Sequence, residues 1–248
     1  MCRHFAWLGH ERTVEQLVLL PSYGLPRQGD RPRWQQIELV NRDGFGVGWF
    51  TGENTVTYRR TGPIEADPDF PELARSVSGG CVIGAVRGAS PGMPIEVEAT
   101  APFTNGRALV SLNGHVSTRL TASMLDPAYE PESTCDAAFL ATLLWQRLDA
   151  GIPLTTAVPS LVQDVARVDA NACLNLLATD GMTIVATTWG ETLCYRTGPS
   201  GTLVASEPHD DDADWITVPD RHLLIADPVG VSTHALPALD PSQVVDPL

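Results

Sequence analysis

The order of the secondary-structure patterns restricts the fold of this chain more than any other feature. Strand-like segments occupy both ends of the sequence, and two helical patterns lie between them, at residues 135–149 and 154–168. This grouping favours antiparallel sheets with helices on their outer faces, because parallel strands need a long crossover between them. We therefore predict an α+β fold with two antiparallel sheets. The strand-like segments are residues 45–50, 55–60, 81–87, 108–112, 172–179, 183–189, 193–196, 202–206, 215–218 and 223–226.

The helix predicted over residues 135–149 has the clearest boundaries in the chain. Ser133 or Thr134 can cap its first turn, and Gly151 follows its end. Its apolar face consists of Phe139, Leu140, Leu143, Leu144 and Leu148. The next helix contains Pro159, which we expect near its start, where the missing N–H costs no helical hydrogen bond.

Five other segments carry local predictions. Residues 13–20 and 71–77 predict short helices, the first with a threonine cap. Residues 22–36, rich in Gly, Pro, Arg and Gln, predict a surface loop. The acidic segment 207–214 is expected to be solvated, and the three prolines of 236–248 predict a loose tail.

Composition and charge set the size of the fold and exclude several functions. The 248 residues, of which 43% are hydrophobic, suffice for one large core, and we see no linker or repeat, so we expect a single domain over residues 1–248. The formal net charge of −14 argues against nucleic-acid binding, since no basic excess can neutralise phosphates. All 16 basic residues are arginine, which excludes a Schiff-base lysine and a Gly-Lys-Ser/Thr phosphate loop.

The cysteine content favours a reducing compartment. The five cysteines are odd in number, widely spaced and without a C-x-x-C pair, so neither a disulfide framework nor a zinc site is expected. Polar residues interrupt the first twelve positions, which excludes a secretory signal, and no apolar run approaches the roughly 20 residues of a membrane span. We therefore predict a cytoplasmic protein without membrane contact, metal or cofactor.

The first residues offer a candidate nucleophile. If Met1 is removed, as expected when a small residue follows it, Cys2 carries both a thiol and a free α-amine. Reference pKa values are about 8.5 for the thiol and about 7.7–8.0 for the amine, so the amine can take the thiol proton. Nucleophile and general base are then present in one residue, although a Met-Cys start also occurs in proteins without this chemistry.

Later positions supply groups for an amino-acid substrate and for an oxyanion. Arg87 ends a buried-type strand beside a Gly/Ser turn, where it can bind a carboxylate or make an ordinary salt bridge. Asn113 and Gly114 can direct two donors at one oxygen, as in an oxyanion hole, or form a plain Asn-Gly turn. Asp136 lies in the first turn of a helix, where it can accept a substrate ammonium or simply complement the helix dipole.

Glycines alternate with apolar residues in the strand predicted over 45–50. Gly46 and Gly48 inside a strand indicate that another backbone or a ligand approaches closely. The spacing lacks the G-x-G-x-x-G pattern of a dinucleotide-binding loop. We therefore expect packing against a neighbouring segment or a substrate at these glycines.

Together these segments resemble the class II glutamine amidotransferases, a branch of the N-terminal nucleophile hydrolases, over almost the whole chain. Their order gives the resemblance its specificity, since each motif alone is weak. The similar segments are Met1-Cys2-Arg3, residues 43–50, Arg87-Gly88-Ala89-Ser90, Pro102-Phe103 followed by Leu112-Asn113-Gly114, Thr134-Cys135-Asp136, and Glu207-Pro208 followed by Trp215. The resemblance implies a four-layer αββα sandwich, with two mostly antiparallel sheets between helical layers.

The resemblance also implies roles for individual residues. Cys2 would be the nucleophile and, through its α-amine, the general base. Asn113 and Gly114 would form the oxyanion hole. Arg87 would hold the α-carboxylate of a small-molecule γ-glutamyl substrate, and Asp136 its α-ammonium group. Water would then hydrolyse the glutamyl thioester.

Two departures from the family pattern affect the surroundings of the γ-amide. Leu112 stands where the family usually has a histidine before Asn-Gly, and Ala137-Ala138 stand where Ser-Glu often follows the aspartate. The nucleophile and the amino-acid clamp are unchanged, so a different specificity at the amide is implied. His115, beside the oxyanion pair, is a candidate for substrate binding or proton donation and equally a candidate for a structural role.

Three functions are compatible with the resemblance. The opening Met-Cys-Arg-His-x-Ala-x-Leu-Gly and the segment Arg-Gly-Ala-Ser-Pro-Gly are similar to a branch that acts in ergothioneine biosynthesis, where it removes glutamate from a γ-glutamyl amide bearing a trimethylammonium group. A glutaminase subunit that feeds ammonia to a separate synthase is the second, since no synthase domain is fused. A non-catalytic binding module, favoured if Met1 is retained, is the third. The oligomeric state is not predicted.

Overall fold

Two antiparallel sheets lie face to face in the computed structural model, which describes residues 2–35 and 40–239. The strands are β1 (Cys2–Thr13), β2 (Gly44–Thr51), β3 (Asn54–Thr61), β4 (Ser78–Arg87), β5 (Phe103–Thr104), β6 (Leu109–His115), β7 (Cys173–Thr179), β8 (Ile184–Thr188), β9 (Cys194–Gly198), β10 (Gly201–Ala205), β11 (Ile216–Thr217), β12 (His222–Asp227) and β13 (Gly230–Ala235). The first sheet has the order β11-β9-β10-β1-β4-β2-β3, and the second has the order β13-β12-β8-β7-β6-β5.

Helices cover the outer faces of both sheets. They are α1 (Val14–Val18), α2 (Leu25–Asp30), α3 (Phe70–Ser76), α4 (Thr118–Thr121), α5 (Asp136–Asp149) and α6 (Leu154–Val168). Among the described residues, no helix combines the length and the apolar character that a membrane span requires.

Three groups of buried side chains fill the interfaces between the layers. Ala6, Ile83 and Val204 of the first sheet meet Leu109, Leu177 and Leu224 of the second, and so fill the space between the sheets. Helices α1 to α3 pack on the first sheet around Phe5, Leu17, Leu25 and Phe70. Helices α5 and α6 pack on the second sheet around Val110, Leu140, Leu161 and Leu174. The predicted α+β sandwich, with two antiparallel sheets between helical layers, is confirmed.

Strand β1, which is absent from the predicted elements, is central to the first sheet. It pairs with β4 along one edge and with β10 along the other. Phe5 and Trp7 face the helices while Ala6 faces the second sheet, so both faces are buried. A strand buried on both faces lacks the alternation of polar and apolar residues that identifies a half-buried strand.

Most of the predicted elements are present with small differences at their ends. The hairpin of β7 and β8, the strand β2 with its partner β3, and helices α5 and α6 all occur where the sequence indicates. Thr13 caps α1 by accepting a hydrogen bond from the backbone N–H of Gln16, whose side chain bonds back to Thr13. The last predicted strand of the first sheet is shorter than expected, covering only Ile216–Thr217.

The prediction of a loop over residues 22–36 is wrong for its middle part, which forms α2. A proline in the first turn of a helix loses no hydrogen bond, and Pro26 occupies such a position. Leu25 and Gln28 are fully buried, and the Gln28 side-chain amide donates to the carbonyl of Tyr23 at 2.7 Å. Tertiary burial therefore outweighs the loop-forming composition of this segment, whose last residue, 36, lies outside the described part of the chain.

Two expectations for the helices are also wrong in detail. The cap of α5 is Cys135, whose Sγ accepts the backbone N–H of Ala138 at 3.3 Å, and not Ser133 or Thr134. Ser133 instead donates from its hydroxyl to Glu96 at 2.7 Å. Pro159 lies inside the second turn of α6 rather than near its start.

The acidic segment 207–214 is only partly solvated. Glu207 and His209 are buried, whereas the residues that follow Asp210 in this segment are exposed. The Glu207 carboxylate accepts the backbone N–H groups of Arg33 and Trp34 at 2.9 and 2.7 Å, which explains how a charged group is accommodated there. Of the predicted tail, Leu236 is buried and its N–H bonds to the carbonyl of Arg221, and residues 240–248 lie outside the described residues.

The glycines of β2 permit the close approach that their spacing indicates. A Cβ at Gly46 would lie 2.4 Å from the carbonyl oxygen of Ala101, and one at Gly48 would lie 3.0 Å from Leu109 and Pro102. The segment that contains the cis Ala101–Pro102 peptide bond therefore lies directly against β2. Its neighbours Ala99 and Phe103 are buried in the same region.

We expect Gly46→Ala to destabilise the protein by about 1–3 kcal/mol, because the backbone must move to admit the methyl group. Gly198→Ala is the matched control, since a Cβ at this strand glycine meets no atom within 4 Å. Thermal unfolding of both variants checks the prediction. Equal melting temperatures would show that the Ala101 segment yields at little cost.

Candidate active site

Cys2 and Arg87 are brought together by the pairing of β1 with β4. They are opposite each other in the register of these antiparallel strands, at the end of both. Arg87 is also opposite Gly44 of β2, so hydrogen-bonded strands on both sides fix its backbone. Cys2 is half-buried, whereas the other four cysteines are buried.

Asn113 and Gly114 belong to the second sheet and face Cys2 across the gap between the sheets. The backbone nitrogen of Cys2 donates to Asn113 Oδ1 at 3.2 Å. The Asn-Gly pair is not a turn, because β6 continues through both residues and pairs with β7. A Cβ at Gly114 would lie 1.9 Å from the carbonyl oxygen of Cys173, so a side chain larger than hydrogen does not fit there.

Asp136 is the first residue of α5, and two backbone N–H groups hold its side chain toward the region of Cys2. Its carboxylate accepts the N–H of Val116 at 3.1 Å and that of Ala137 at 2.9 Å. Burial raises the pKa of Asp136, and these two N–H groups partly offset the effect. Within the described residues no arginine lies within ion-pair distance of its carboxylate.

Arg87 is likewise a buried charge without an ionic partner among the described residues. Its side chain is nearly inaccessible to solvent, and Nη1 donates to the carbonyl oxygen of Pro94 at 2.8 Å. The turn after Arg87 is held by Asp43, which accepts the N–H of Ala89 at 2.8 Å. An unpaired guanidinium and an unpaired carboxylate in one cleft are costly in the empty protein and suit a zwitterionic ligand.

One narrow cleft joins these groups. Its charged or reactive positions are Cys2, Arg87 and Asp136, and Gly114 lies at the same wall. The remaining wall is mainly apolar and includes Met93, Ala99, Ala101, Phe103, Leu112 and Ala137. Leu112, the first departure from the family pattern, and Ala137, one residue of the second, therefore both face the cleft. In the described part of the chain no group of three or more His, Cys, Asp or Glu side chains is arranged to hold a metal ion.

Two of the predicted site residues, Asn113 and His115, do not line this cleft. Asn113 is fully buried and reaches the site through its contact with the Cys2 nitrogen. His115 follows Gly114 in the chain. It is exposed at the end of β6, although its charge is near enough to lower the pKa of Asp136 slightly. Its part in substrate binding stays a prediction. His4, two residues after Cys2 in β1, is fully buried and bonded to Ser111, and burial lowers its pKa to about 3, so it is neutral.

Sequence reasoning left the role of Arg3 open and did not identify Glu191. Arg3 is fully buried and forms an ion pair with Glu191 at 3.3 Å. Its Nη2 also donates to Asn113 Oδ1 at 3.3 Å. Glu191 lies in the connection between β8 and β9 and belongs to no motif, so only the tertiary structure reveals its position.

The chain is similar in sequence to named hydrolases. It is 42% identical over 237 residues to the gamma-glutamyl-hercynylcysteine sulfoxide hydrolase of Mycobacterium tuberculosis (strain CDC 1551 / Oshkosh), a match that covers 95% of this chain and 97% of the relative. It is 42% identical over 226 residues to the enzyme of the same name from Mycolicibacterium smegmatis, covering 90% of this chain and 95% of the relative. No family model matches the chain.

Solved structures show the same fold at low sequence identity. A glutamine aminotransferase class-II domain protein from Silicibacter pomeroyi is 19% identical with a TM-score of 0.65, over 96% of this chain and 100% of that one. Glutamine phosphoribosylpyrophosphate amidotransferase from B. subtilis is 18% identical with a TM-score of 0.73, over 96% of this chain and 49% of that one. These likenesses establish the architecture, in which the chain matches about half of the larger amidotransferase.

Proposed function

The chain belongs to the family of gamma-glutamyl-hercynylcysteine sulfoxide hydrolases, and on this premise we propose that it hydrolyses the γ-glutamyl amide of that sulfoxide. The products are glutamate and hercynylcysteine sulfoxide, and the reaction is a step of ergothioneine biosynthesis. The observation that carries the proposal is the 42% identity to enzymes of this name over nearly the whole chain. The meeting of Cys2, Arg87 and Asp136 in one cleft supports it.

The proposed mechanism begins with removal of Met1, which makes the Cys2 nitrogen an α-amine. The amine takes the thiol proton, and the Cys2 thiolate attacks the γ-carbonyl carbon. The Asn113 side-chain amide and the Gly114 backbone N–H stabilise the oxyanion that develops. When the tetrahedral intermediate collapses, the C–N bond breaks, and the leaving amine takes the proton that the α-amine holds.

The second half of the reaction returns the enzyme to its starting state. Water attacks the γ-glutamyl thioester, the α-amine accepts a proton from that water, and the C–S bond breaks. Glutamate leaves, and the thiolate recovers its proton. Both halves use the same oxyanion donors, because both pass through a tetrahedral intermediate at one carbon atom.

Arg87 and Asp136 hold the glutamyl group in this proposal. The guanidinium binds the α-carboxylate, and the carboxylate binds the α-ammonium, so each buried charge gains the partner that it lacks in the free protein. The cost of burying them unpaired is recovered only when a ligand with both charges enters. This arrangement selects α-amino acids with a free α-carboxylate and explains why a γ-linked glutamyl group is recognised.

The apolar wall favours a substituted amide over glutamine itself. The side chains of Leu112 and Ala137 offer no polar atoms to the primary amide of glutamine, and they leave an apolar surface beside the γ-carbonyl. The γ-amide nitrogen of the sulfoxide substrate carries a carbon substituent in place of a hydrogen. The five free cysteines also support a reducing compartment, so we place the enzyme in the cytosol.

Glutamate release from two substrates tests the proposed function. We expect kcat/KM for gamma-glutamyl-hercynylcysteine sulfoxide to exceed that for glutamine by about 100-fold, equivalent to about 2.7 kcal/mol of additional transition-state binding. Cys2→Ala is the control for non-enzymatic and contaminating activity. Faster hydrolysis of glutamine would instead favour a glutaminase subunit that supplies ammonia, and release from neither substrate would favour a non-catalytic binding module.

A further inference from the structure

The Asn113 side chain is held in one orientation by two hydrogen-bond donors. It is fully buried, and its Oδ1 accepts from the Cys2 nitrogen at 3.2 Å and from Arg3 Nη2 at 3.3 Å. Rotating the amide by 180° would place its NH₂ group against these donors, so the oxygen must occupy this position. The Nδ2 group is therefore directed elsewhere, and it has no hydrogen-bond partner in the structure.

An unpartnered buried donor is costly and suits a group that waits for a ligand. On the proposed mechanism the ligand atom is the oxyanion, which carries its full charge only in the tetrahedral intermediate. The orientation of the Asn113 amide thus decides whether a donor or an acceptor faces that atom. An acceptor in this place would repel the developing charge.

Arg3 is itself fixed on three sides. Its Nε donates to the carbonyl oxygen of Cys2 at 2.8 Å, and Nη2 also contacts Glu191 Oε2 at 3.3 Å. The segment that carries Glu191 is held by Asn175, whose Oδ1 accepts the N–H of Glu191 at 3.1 Å and whose Nδ2 donates to the Glu191 carbonyl at 2.8 Å. Glu191 is almost fully buried, so it neutralises Arg3 without competition from water.

We propose that Arg3, held by Glu191, is a positioning residue that fixes the Asn113 amide with Nδ2 free to stabilise the oxyanion. The inference rests on the proposed function, since it assigns Asn113 the oxyanion. The guanidinium suits this role because its nitrogens are separated. Nε reaches the Cys2 carbonyl oxygen, while Nη2 reaches both Asn113 Oδ1 and Glu191 Oε2. Lysine has the same charge, but all its donors are on one nitrogen, so it does not reproduce the separated nitrogens of the guanidinium.

A double-mutant cycle tests the coupling between Arg3 and Asn113. We expect Asn113→Ala to lower kcat by about 100- to 1,000-fold and Arg3→Met to lower it by about 10- to 100-fold, each with a small change in KM. The kcat of the double variant should be within about 2-fold of the kcat of Asn113→Ala alone, because the amide that Arg3 positions is then absent. Arg3→Lys should resemble Arg3→Met.

A spectroscopic measurement separates positioning from a general structural defect. The side-chain NH₂ resonances of Asn113 in a ¹⁵N-correlated spectrum, assigned by their loss in Asn113→Ala, should shift in Arg3→Met. Arg147→Met is the matched control, because Arg147 bonds to Asp164 and to the Leu143 carbonyl far from the site. It should leave both kcat and these resonances unchanged.

The proposal would be overturned if the two substitutions acted independently, so that their separate fold-losses in kcat multiplied in the double variant. Unshifted Asn113 resonances in Arg3→Met would overturn it as well. If Arg3→Met fails to fold, Glu191→Gln enters the same cycle, since it removes the charge that holds Arg3 but keeps the shape. Failure of the proposed function gives a different result, because the unmodified protein would then release glutamate mainly from glutamine or from neither substrate, while the Asn113 resonances would still report whether Arg3 positions the amide.

Discussion

Cys2→Ala is expected to lower kcat for glutamate release by about 10⁴-fold or more, because it removes the thiolate that forms the acyl intermediate. The substitution removes one half-buried sulfur atom, which makes no hydrogen bond within the described residues, so stability should change little. Single-turnover measurement of glutamate, with melting temperature in parallel, checks both parts. Cys2→Ser should also be severely impaired, since a hydroxyl is a much weaker nucleophile than a thiolate at neutral pH.

Cys81→Ala is the matched control for this prediction. Cys81 lies opposite Leu8, toward the other end of β1, and its thiol contacts Thr179. Burial raises its pKa to about 12, so it contributes no thiolate near neutral pH. Its loss should leave activity intact, and activity that survives in Cys2→Ala would contradict the N-terminal nucleophile.

The free α-amine of Cys2 is required as the general base in the proposed mechanism. A form with residues added before Cys2 should be inactive, because a peptide nitrogen can still donate to Asn113 but cannot accept the thiol proton. Proteolytic exposure of Cys2 should restore activity. Activity of the extended form would show that another group takes the proton.

The second large effect is expected at Asp136. Asp136→Asn should lower kcat/KM by about 30- to 5,000-fold, equivalent to the roughly 2–5 kcal/mol that loss of one partner of a buried charge pair costs. The loss should appear mainly in KM, because the α-ammonium is bound in the ground state as well as in the transition state. Asp149→Asn, at the other end of α5, is the matched control.

The pH dependence of kcat/KM follows from the same residue. Only ionised Asp136 attracts the substrate ammonium, so kcat/KM should fall as the pH falls through the pKa of this carboxyl. Burial raises that pKa, which places the decline at a higher pH than the value of about 3.9 of an ordinary aspartate. The residual activity of Asp136→Asn should lack this decline. A decline that persists in Asp136→Asn would assign it to another group.

The layers of the fold could be predicted because they depend on local patterns. Alternating strands, the capped helix α1 and the apolar face of α5 are each encoded within a few residues. The positions of Cys2, Arg87 and Asp136 in the sequence could likewise be marked, since the motifs around them are local. Their convergence could not be derived from spacing, because it depends on the register between β1 and β4 and on the packing of α5.

The errors arise where tertiary contacts decide the outcome. Helix α2 forms in a segment rich in Gly and Pro because Leu25 and Gln28 are buried. Glu207 is buried because two backbone N–H groups of a distant loop satisfy its carboxylate. The pairing of Arg3 with Glu191 joins residues far apart in sequence, and no pattern of residue types indicates it.

The central place of β1 in its sheet has a consequence for the order of events during synthesis. Its first edge can pair with β4 early, but its second edge must wait until the residues of β10 have left the ribosome. Such long-range pairing is slow, because a large loop must close before the contacts form. We expect this delay to keep the N-terminus accessible to an aminopeptidase, so that trimming of the nascent chain precedes completion of the sheet.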